Sequence, residues 1–352
     1  MNMVSVGNAW LQINDISDAI GFTTTCLVNA VLISLLATRG KKLGTYRYLM
    51  MFFCVFTVFY ALIESILRPI LHIEHSSLFL ISRKRFDVSP LIAKLNSGLY
   101  CACFASSFVL VAIHFVYRYF VAVKPHLLYL FQPSRLIFWL LLALIPISAW
   151  ACVSMFLYPN TEQTEDIVLL VLRDNYYPLS RQNVTYIGYI YYTYNSAGEK
   201  EIYMKNILGF IVHAIVMNGS FYVIFHCGMH TYETVRYAIH VSNRTKILQK
   251  QLFNALVIQT ILPSLIMYIP ILVMFIFPFL DISLRSWTNI VVVSSFIYPG
   301  IDPLILILVI KDFRTTVAEK LKIKRRKSNA IRSFQISSAN HTKSTNHPTD
   351  YN

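Results

Sequence analysis

Asp302 is the side chain whose chemistry most needs explaining. It stands between Pro299 and Pro303 in a run from Phe296 to Arg314 that is apolar until Lys311. A charge in the hydrocarbon core costs from about 2.5 kcal/mol to well above 10, so an ionisable residue there is a functional candidate by default. Three roles suit it: a proton or ion relay in transport, a cap on a helix broken at Pro303, or the polar element of a conformational switch. A relay calls for several ionisable groups near the midplane and for repeated halves with broken helices. Asp302 is the only clear acid at depth, and the sequence shows no convincing repeat. One partner for it is Asn29, which serves equally well as an interhelical packing amide.

The remaining reactive side chains form no catalytic constellation. His213, His226 and His230 are spaced by 13 and 4 residues without the partners of a metal motif. No nucleotide-binding Gly-rich loop, His-Glu-x-x-His, Cys-x-x-Cys or Gly-x-Ser-x-Gly is present. The expectation is therefore no enzyme, no cofactor and no metal. Glu64 and Arg68, at i and i+4, read as an interfacial ion pair. Arg118, at the end of an apolar run, is explained by snorkelling to lipid phosphate as readily as by a functional role. Asn183-Val184-Thr185 is an N-glycosylation acceptor.

The elements that position these residues are membrane helices. Of the 352 residues, 56% are hydrophobic and 14% charged, with mean hydropathy +0.53, far from a soluble composition. Seven runs reach the roughly 20 residues needed to cross a bilayer: Ile16 to Thr38, Tyr46 to Leu67, Leu95 to Val123, Leu136 to Tyr158, Asn206 to Cys227, Leu252 to Leu280, and Trp287 to Ile310. The expected fold is an all-α seven-helix bundle. Its parts are an N-terminal segment 1–15, the bundle 16–310, an amphipathic surface helix 311–323, and a basic, then Ser- and Thr-rich disordered tail 324–352. The flank of the first run holds Asp15 and Asp18 and no basic region, unlike a cleaved signal peptide. All six cysteines lie in the runs, so no loop disulfide can be drawn.

Cytoplasmic loops retain Lys and Arg. With the N-terminus outside, 21 of the 31 basic residues fall on the inner side with only four acids, giving an inner face near +17 and an outer face near −2. The high pI thus belongs to the cytoplasmic face. It needs no nucleic-acid partner and suits anionic inner-leaflet lipid. Phe313, Val317 and Leu321 make the apolar side of the surface helix, and Lys324 to Lys327 a polybasic cluster.

Within the bundle, the third run has small residues, Gly98, Ala102, Ala105 and Ser106, that suit a central helix. Tyr100 and Arg118 are about 27 Å apart along it, near opposite faces. The fourth carries Trp139 and Trp150 with a kink at Pro146. The sixth is weakened at Pro263 and Pro270 around Tyr268, which locates a hinge. A run of tyrosines from Tyr186 to Tyr194 alternates with Ile and Thr and predicts a short hairpin over the bundle mouth.

Three motifs resemble one family. Phe115-Val116-Tyr117-Arg118-Tyr119 with Lys124-Pro125, Gln251 to Thr260 running into Pro263, and Tyr298-Pro299-Gly300-Ile301-Asp302-Pro303 running into Lys311-Asp312-Phe313-Arg314 are similar to nematode serpentine chemoreceptors of the Str superfamily, Str or Srj type. These are G-protein-coupled receptors. The similarity covers about Ile16 to Lys322. It implies a multi-pass plasma-membrane receptor of a sensory-neuron cilium that binds a small odorant and activates a heterotrimeric G protein. By position, Arg118 with Tyr117 and Tyr119 resembles the G-protein contact. Asp302-Pro303 resembles the hinge of the seventh span, to which Asn29, Pro263, Pro270, Tyr298 and Pro299 are added as switch residues. Tyr117 replaces the usual acid, Leu306 the hinge tyrosine and Ala93 a disulfide cysteine. Restraint of Arg118 must then come from elsewhere, with Glu233 as the candidate. The ligand is expected among Tyr100, Phe104, His213, Tyr268 and Phe296, although packing alone also accounts for these rings. Two other classes stay open at this point. A seven-span ion channel subunit of the insect odorant-receptor kind has its N-terminus inside, opposite to the charge bias, and a transporter ranks third.

Overall fold

A crossing helix satisfies its own backbone donors and acceptors, which is why long apolar runs become helices in a bilayer. Among its described residues, the computed structural model has seven helices long and apolar enough to span. It describes residues 3–84, 88–158, 160–172, 176–195, 197–237, 243–320 and 322. In chain order the helices and strands are α1 (Met3–Arg39), α2 (Tyr46–Leu67), β1 (Pro69–Glu74), β2 (Ser77–Arg83), α3 (Pro90–Ala122), α4 (Leu136–Phe156), α5 (Glu162–Leu172), β3 (Val184–Ile190), β4 (Tyr192–Tyr194), β5 (Lys200–Ile202), α6 (Met204–Tyr237), α7 (Asn243–Pro263), α8 (Ile269–Ile276), α9 (Asn289–Val309) and α10 (311–320). Spans 1 to 4 are α1 to α4, span 5 is α6, span 6 is α7 with α8, and span 7 is α9.

The bundle is the expected one, with α3 at its centre. Of the most apolar stretch of α3, 78% is buried, against 17% for α4 and 22% for α6. Close approach is written into two glycines. A Cβ on Gly21 would lie 2.1 Å from the Phe296 carbonyl oxygen, and one on Gly98 would meet the Met155 thioether. Spans 1 and 7 therefore pack backbone to backbone. At 37 residues, about 55 Å, α1 is far longer than the hydrocarbon core and begins well before the apolar run.

Proline acts differently in spans 6 and 7. Span 6 breaks into α7 and α8 with a π-helical turn, Ser264–Tyr268, between Pro263 and Pro270. Span 7 stays helical through Pro299 and Pro303, so Asp302 is an interior residue of α9 and no helix cap.

One end of the molecule departs from a plain bundle. β1, β2 and β3 form an antiparallel sheet in that order, joining the loop after span 2 to the loop before span 5. Both faces are covered. Leu71, Leu78, Leu80, Ile187 and Tyr189 point into the main core, and Ile70, Phe79, Ile81, Val184 and Tyr186 into a second core beneath α5. A strand buried on both sides reads as a continuous apolar run, as Leu78 to Ile81 does. The expected tyrosine hairpin is only partly right: β4 and β5 pair with each other, but the longer tyrosine strand β3 pairs with β2.

At the end of the bundle opposite the sheet, Phe313 of α10 is buried and Val317 packs on the same core. Leu321, the polybasic cluster and the tail lie outside the described residues. The six cysteines are free.

Candidate functional site

Three polar or open regions follow one another down the bundle axis. The first is a cavity of about 60 Å³ beneath the sheet. Leu71, Leu78, Leu80 and Tyr189 come from the strands, Tyr100 and Phe104 from span 3, and Trp150 from span 4. Spans 6 and 7 close it with residues that include Phe275 and Ser295. Of the five residues expected at the ligand, Tyr100 and Phe104 line this cavity and three stand just outside its wall. His213 is stacked behind Trp150 at 4.1 Å between ring centres, with Nε2 near the Trp150 carbonyl at 3.2 Å. Tyr268 lies against Phe104 and Phe108, and its hydroxyl pairs with that of Ser107 at 2.9 Å. Phe296 is buried beside its lining neighbour Ser295, over Gly21.

Glu64 is the polar residue that local spacing misplaced. It does not pair with Arg68, whose Nη2 instead reaches Asp15 at 2.8 Å. Arg68 leaves the helix with φ +50°, which turns its side chain away. Glu64 is buried, and its Oε1 accepts the Ser295 hydroxyl at 2.5 Å. The i, i+4 rule assumes that the helix continues, and here it stops between the two partners.

The middle region surrounds Asp302. Its carboxylate accepts the Gln259 amide at 2.9 Å and the Tyr298 hydroxyl at 3.0 Å. Asn29 stays one turn away: its amide donates to the Pro299 carbonyl at 3.3 Å, and its Oδ1 accepts the Thr57 hydroxyl at 3.1 Å. Helix geometry explains these choices. Pro303 has no N–H, so the carbonyl of residue 299 lacks its i+4 donor; Asn29 supplies one. Pro263 likewise strands the Gln259 carbonyl, and the Tyr298 hydroxyl stands 3.4 Å from it. Two carbonyls orphaned by proline are thus met by side chains of other spans, as burial without water requires. The switch residues Asn29, Pro263, Tyr298, Pro299, Asp302 and Pro303 come together at one level, while Pro270 lies in the first turn of α8, nearer the cavity under the sheet.

The region farthest from the sheet holds Arg118, which is buried and so does not snorkel to lipid. Its guanidinium lies 3.9 Å from the centre of the Tyr46 ring, and Nη1 donates to Gln249 Oε1 at 2.8 Å. Tyr46 in turn stacks on Tyr117 at 4.8 Å and shares a hydrogen bond with His114 Nδ1 at 3.0 Å. Nε and Nη2 of Arg118 have no partner among the described residues. Glu233 is exposed and faces His230 at 3.6 Å, so it does not restrain Arg118 in this arrangement. Tyr119 points to His226 and His230 of span 5, with ring centres 6.4 and 6.3 Å away. No cluster of three metal-ligating side chains exists among the described residues. Asn183 is exposed at the end of a short helical turn just before β3.

The comparisons with known proteins agree with the motifs. Residues 14–318 match the family described as serpentine type 7TM GPCR chemoreceptor Str. "Serpentine receptor class r-10" of Caenorhabditis elegans is 54% identical over 311 residues, covering 88% of this chain and 91% of that one. The Caenorhabditis briggsae protein of the same description is 52% identical, covering 92% and 94%. "G-protein coupled receptor str-33" of C. elegans is 26% identical, covering 88% and 92%. In fold the chain is similar to squid rhodopsin, with TM-score 0.58 at 13% identity over 90% of this chain and 86% of that one. The chain therefore belongs to the nematode serpentine chemoreceptors of the Str family, and is a G-protein-coupled receptor with seven membrane spans.

Proposed function

We propose that this receptor sits in the plasma membrane of a sensory-neuron cilium with its N-terminus outside, binds an odorant-sized molecule in the cavity under the sheet, and activates a heterotrimeric G protein at its inner face. The observation that carries the reading is the alignment of the three regions. Met267 lines the cavity, and the next residue, Tyr268, ends the π-helical turn of span 6. The same span supplies Gln259 to Asp302 and Gln249 to Arg118. A π-turn between two prolines is a local break in the i to i−4 ladder, where a helix rearranges at low cost. A ligand that prefers one arrangement of span 6 shifts the population of both inner networks together.

In this reading Arg118, flanked by Tyr117 and Tyr119, engages the G protein once span 6 carries Gln249 away, and the basic inner loops and tail rest on anionic lipid. The test is Arg118→Ala in reporter cells. Ligand-evoked G-protein activation should fall to background while surface expression persists; retained signalling would refute the coupling role. Glycosylation at Asn183, read as a mobility shift lost in Asn183→Gln, tests the orientation.

A further inference from the structure

Where span 2 ends and span 3 begins, the side of the bundle carries a groove of about 310 Å³. Helical spacing builds one wall: Ile92, Leu95, Asn96 and Leu99 stand at i, i+3, i+4 and i+7 of α3 and so share a face. Ile66, near the end of α2, belongs to the other. Ile92, Leu95 and Leu99 are exposed, so in a spanning helix the groove opens to lipid. Its far end is polar, where the end of β2 and the start of β3 bring Arg83, Lys84 and Thr185.

The charge at that end is not balanced. Arg83 and Arg68 place Nη2 on the same Asp15 oxygen, at 2.6 and 2.8 Å, so two guanidiniums share one carboxylate. The Lys84 ammonium donates to the Gln182 carbonyl at 2.9 Å, which satisfies one proton and neutralises nothing. Arg83 spends Nε on the Arg68 carbonyl at 3.2 Å. Since an ammonium has three donors and a guanidinium five, both cations keep N–H groups for a further acceptor. No Asp or Glu lines the groove among the described residues.

These features fix the chemistry of an occupant. A groove that is apolar along its length and cationic at one end matches an amphiphile with an anionic head, and away from bulk water that pairing gains more than it would in solution. A carboxylate suits the planar donors of Arg83. An apolar cavity of about 150 Å³ holds the six heavy atoms of benzene, so 310 Å³ takes roughly a dozen, one chain of about ten carbons with its carboxylate. A diacyl phospholipid is several times larger.

We propose that the groove between spans 2 and 3 binds a medium-chain carboxylate, whose head meets Arg83 and Lys84 and whose chain lies along Ile92, Leu95 and Leu99. No residue lines both this groove and the cavity under the sheet, and the site stands whether or not that cavity takes the odorant.

The test is equilibrium binding of radiolabelled decanoate to the full-length receptor in phosphatidylcholine nanodiscs, with empty nanodiscs subtracted. Binding should saturate. Decanol and decylammonium should displace it at least about tenfold less well than unlabelled decanoate, the worth of one hydrogen bond between charged partners. Lys84→Gln should weaken decanoate about tenfold by the same reasoning, whereas Lys94→Gln, an exposed lysine outside the groove, should leave it unchanged. Leu95→Trp, which fills the groove from an exposed position and keeps its charge, should weaken it as well. The proposal falls if nothing saturates above empty nanodiscs, if decanol competes as well as decanoate, if Lys84→Gln behaves like Lys94→Gln, or if Leu95→Trp binds like the wild type. Dihexanoyl phosphatidylglycerol is the remaining competitor: it should be the weaker one, and displacement equal to or better than that by decanoate would assign the groove to a phospholipid headgroup instead.

Discussion

Arg118 is held by an aromatic face and an amide, neither of them acidic, and removing either should make the receptor signal without ligand. A desolvated cation over an aromatic face is worth about 2 kcal/mol, and the Tyr46 ring centre is only 3.9 Å from the guanidinium carbon. A hydrogen bond from a charged donor, such as Arg118 to Gln249 at 2.8 Å, contributes about 1.5–3 kcal/mol. If Arg118 leaves both neighbours on activation, losing one of them shifts the equilibrium by about 2 kcal/mol, roughly 30-fold at 1.4 kcal/mol per decade. A receptor about 1% active at rest would rise to about 20%. The assay is ligand-independent G-protein activation per surface receptor for Gln249→Ala and Tyr46→Ala. Tyr46→Phe keeps the ring and should stay within a few-fold of wild type, although it gives up the His114 hydrogen bond. Glu233→Gln should change nothing, because that side chain is exposed and faces His230. Wild-type basal output in both Gln249→Ala and Tyr46→Ala, at normal surface levels, would refute the reasoning. A rise confined to Glu233→Gln would return the restraint to an acid.

Three further outcomes follow from the packing. Asn29→Ala should lower thermal stability in nanodiscs by about 1–3 kcal/mol by unpairing the Pro299 carbonyl; in a Pro303→Ala background, where a backbone N–H returns, the same change should cost clearly less, and additivity would show that proline is not the reason for the contact. Gly21→Ala should sharply reduce folded receptor because its Cβ would sit 2.1 Å from a span 7 carbonyl, whereas Gly219→Ala, with nothing within 4 Å, should be tolerated. The Arg181 guanidinium, bonded to both Glu165 oxygens at 2.5 and 2.9 Å, holds that carboxyl below its usual range. The folded state therefore binds fewer protons there. Its contribution is complete above about pH 4.3 and is lost as pH falls through the lower folded value. Being a third exposed, the pair is worth little, so the readout is local: amide protection in α5, that is, exchange relative to the intrinsic rate at each pH, should fall on acidification in the wild type and show no such transition in Glu165→Gln.

What the sequence made legible was whatever depends on a run of neighbours. Seven apolar runs define seven helices without knowledge of their partners, and the small residues of the third mark it as central. The two prolines of span 6 located the break but not its π-helical form, which depends on how the chain re-registers between them. The sheet stayed hidden because each strand is too short to stand out alone, and its decisive pairing, Leu80 with Ile187, joins segments over a hundred residues apart. Glu64 was misassigned for a related reason. The spacing to Arg68 is a helical spacing, and nothing local announces that Arg68 adopts a left-handed conformation while Ser295 arrives from span 7.

The proline-orphaned carbonyls suggest a stronger rule for reading a membrane helix. Each interior proline at i removes the donor for the carbonyl at i−4, and in hydrocarbon that carbonyl cannot turn to water. A proline in an apolar run therefore predicts a polar side chain on a neighbouring helix at the level of i−4. Pro303 and Pro263 each meet the condition, through Asn29 and Tyr298. Tyr298 has one proton for two acceptors, the Asp302 carboxylate at 3.0 Å and the Gln259 carbonyl at 3.4 Å. Moving that proton from one to the other would loosen Asp302 while repairing span 6, or the reverse. The residue that first looked like an isolated acid is thus one end of a shared hydrogen bond whose other end lies at the break in span 6, and this makes Asp302 a natural place for the two helices to sense each other.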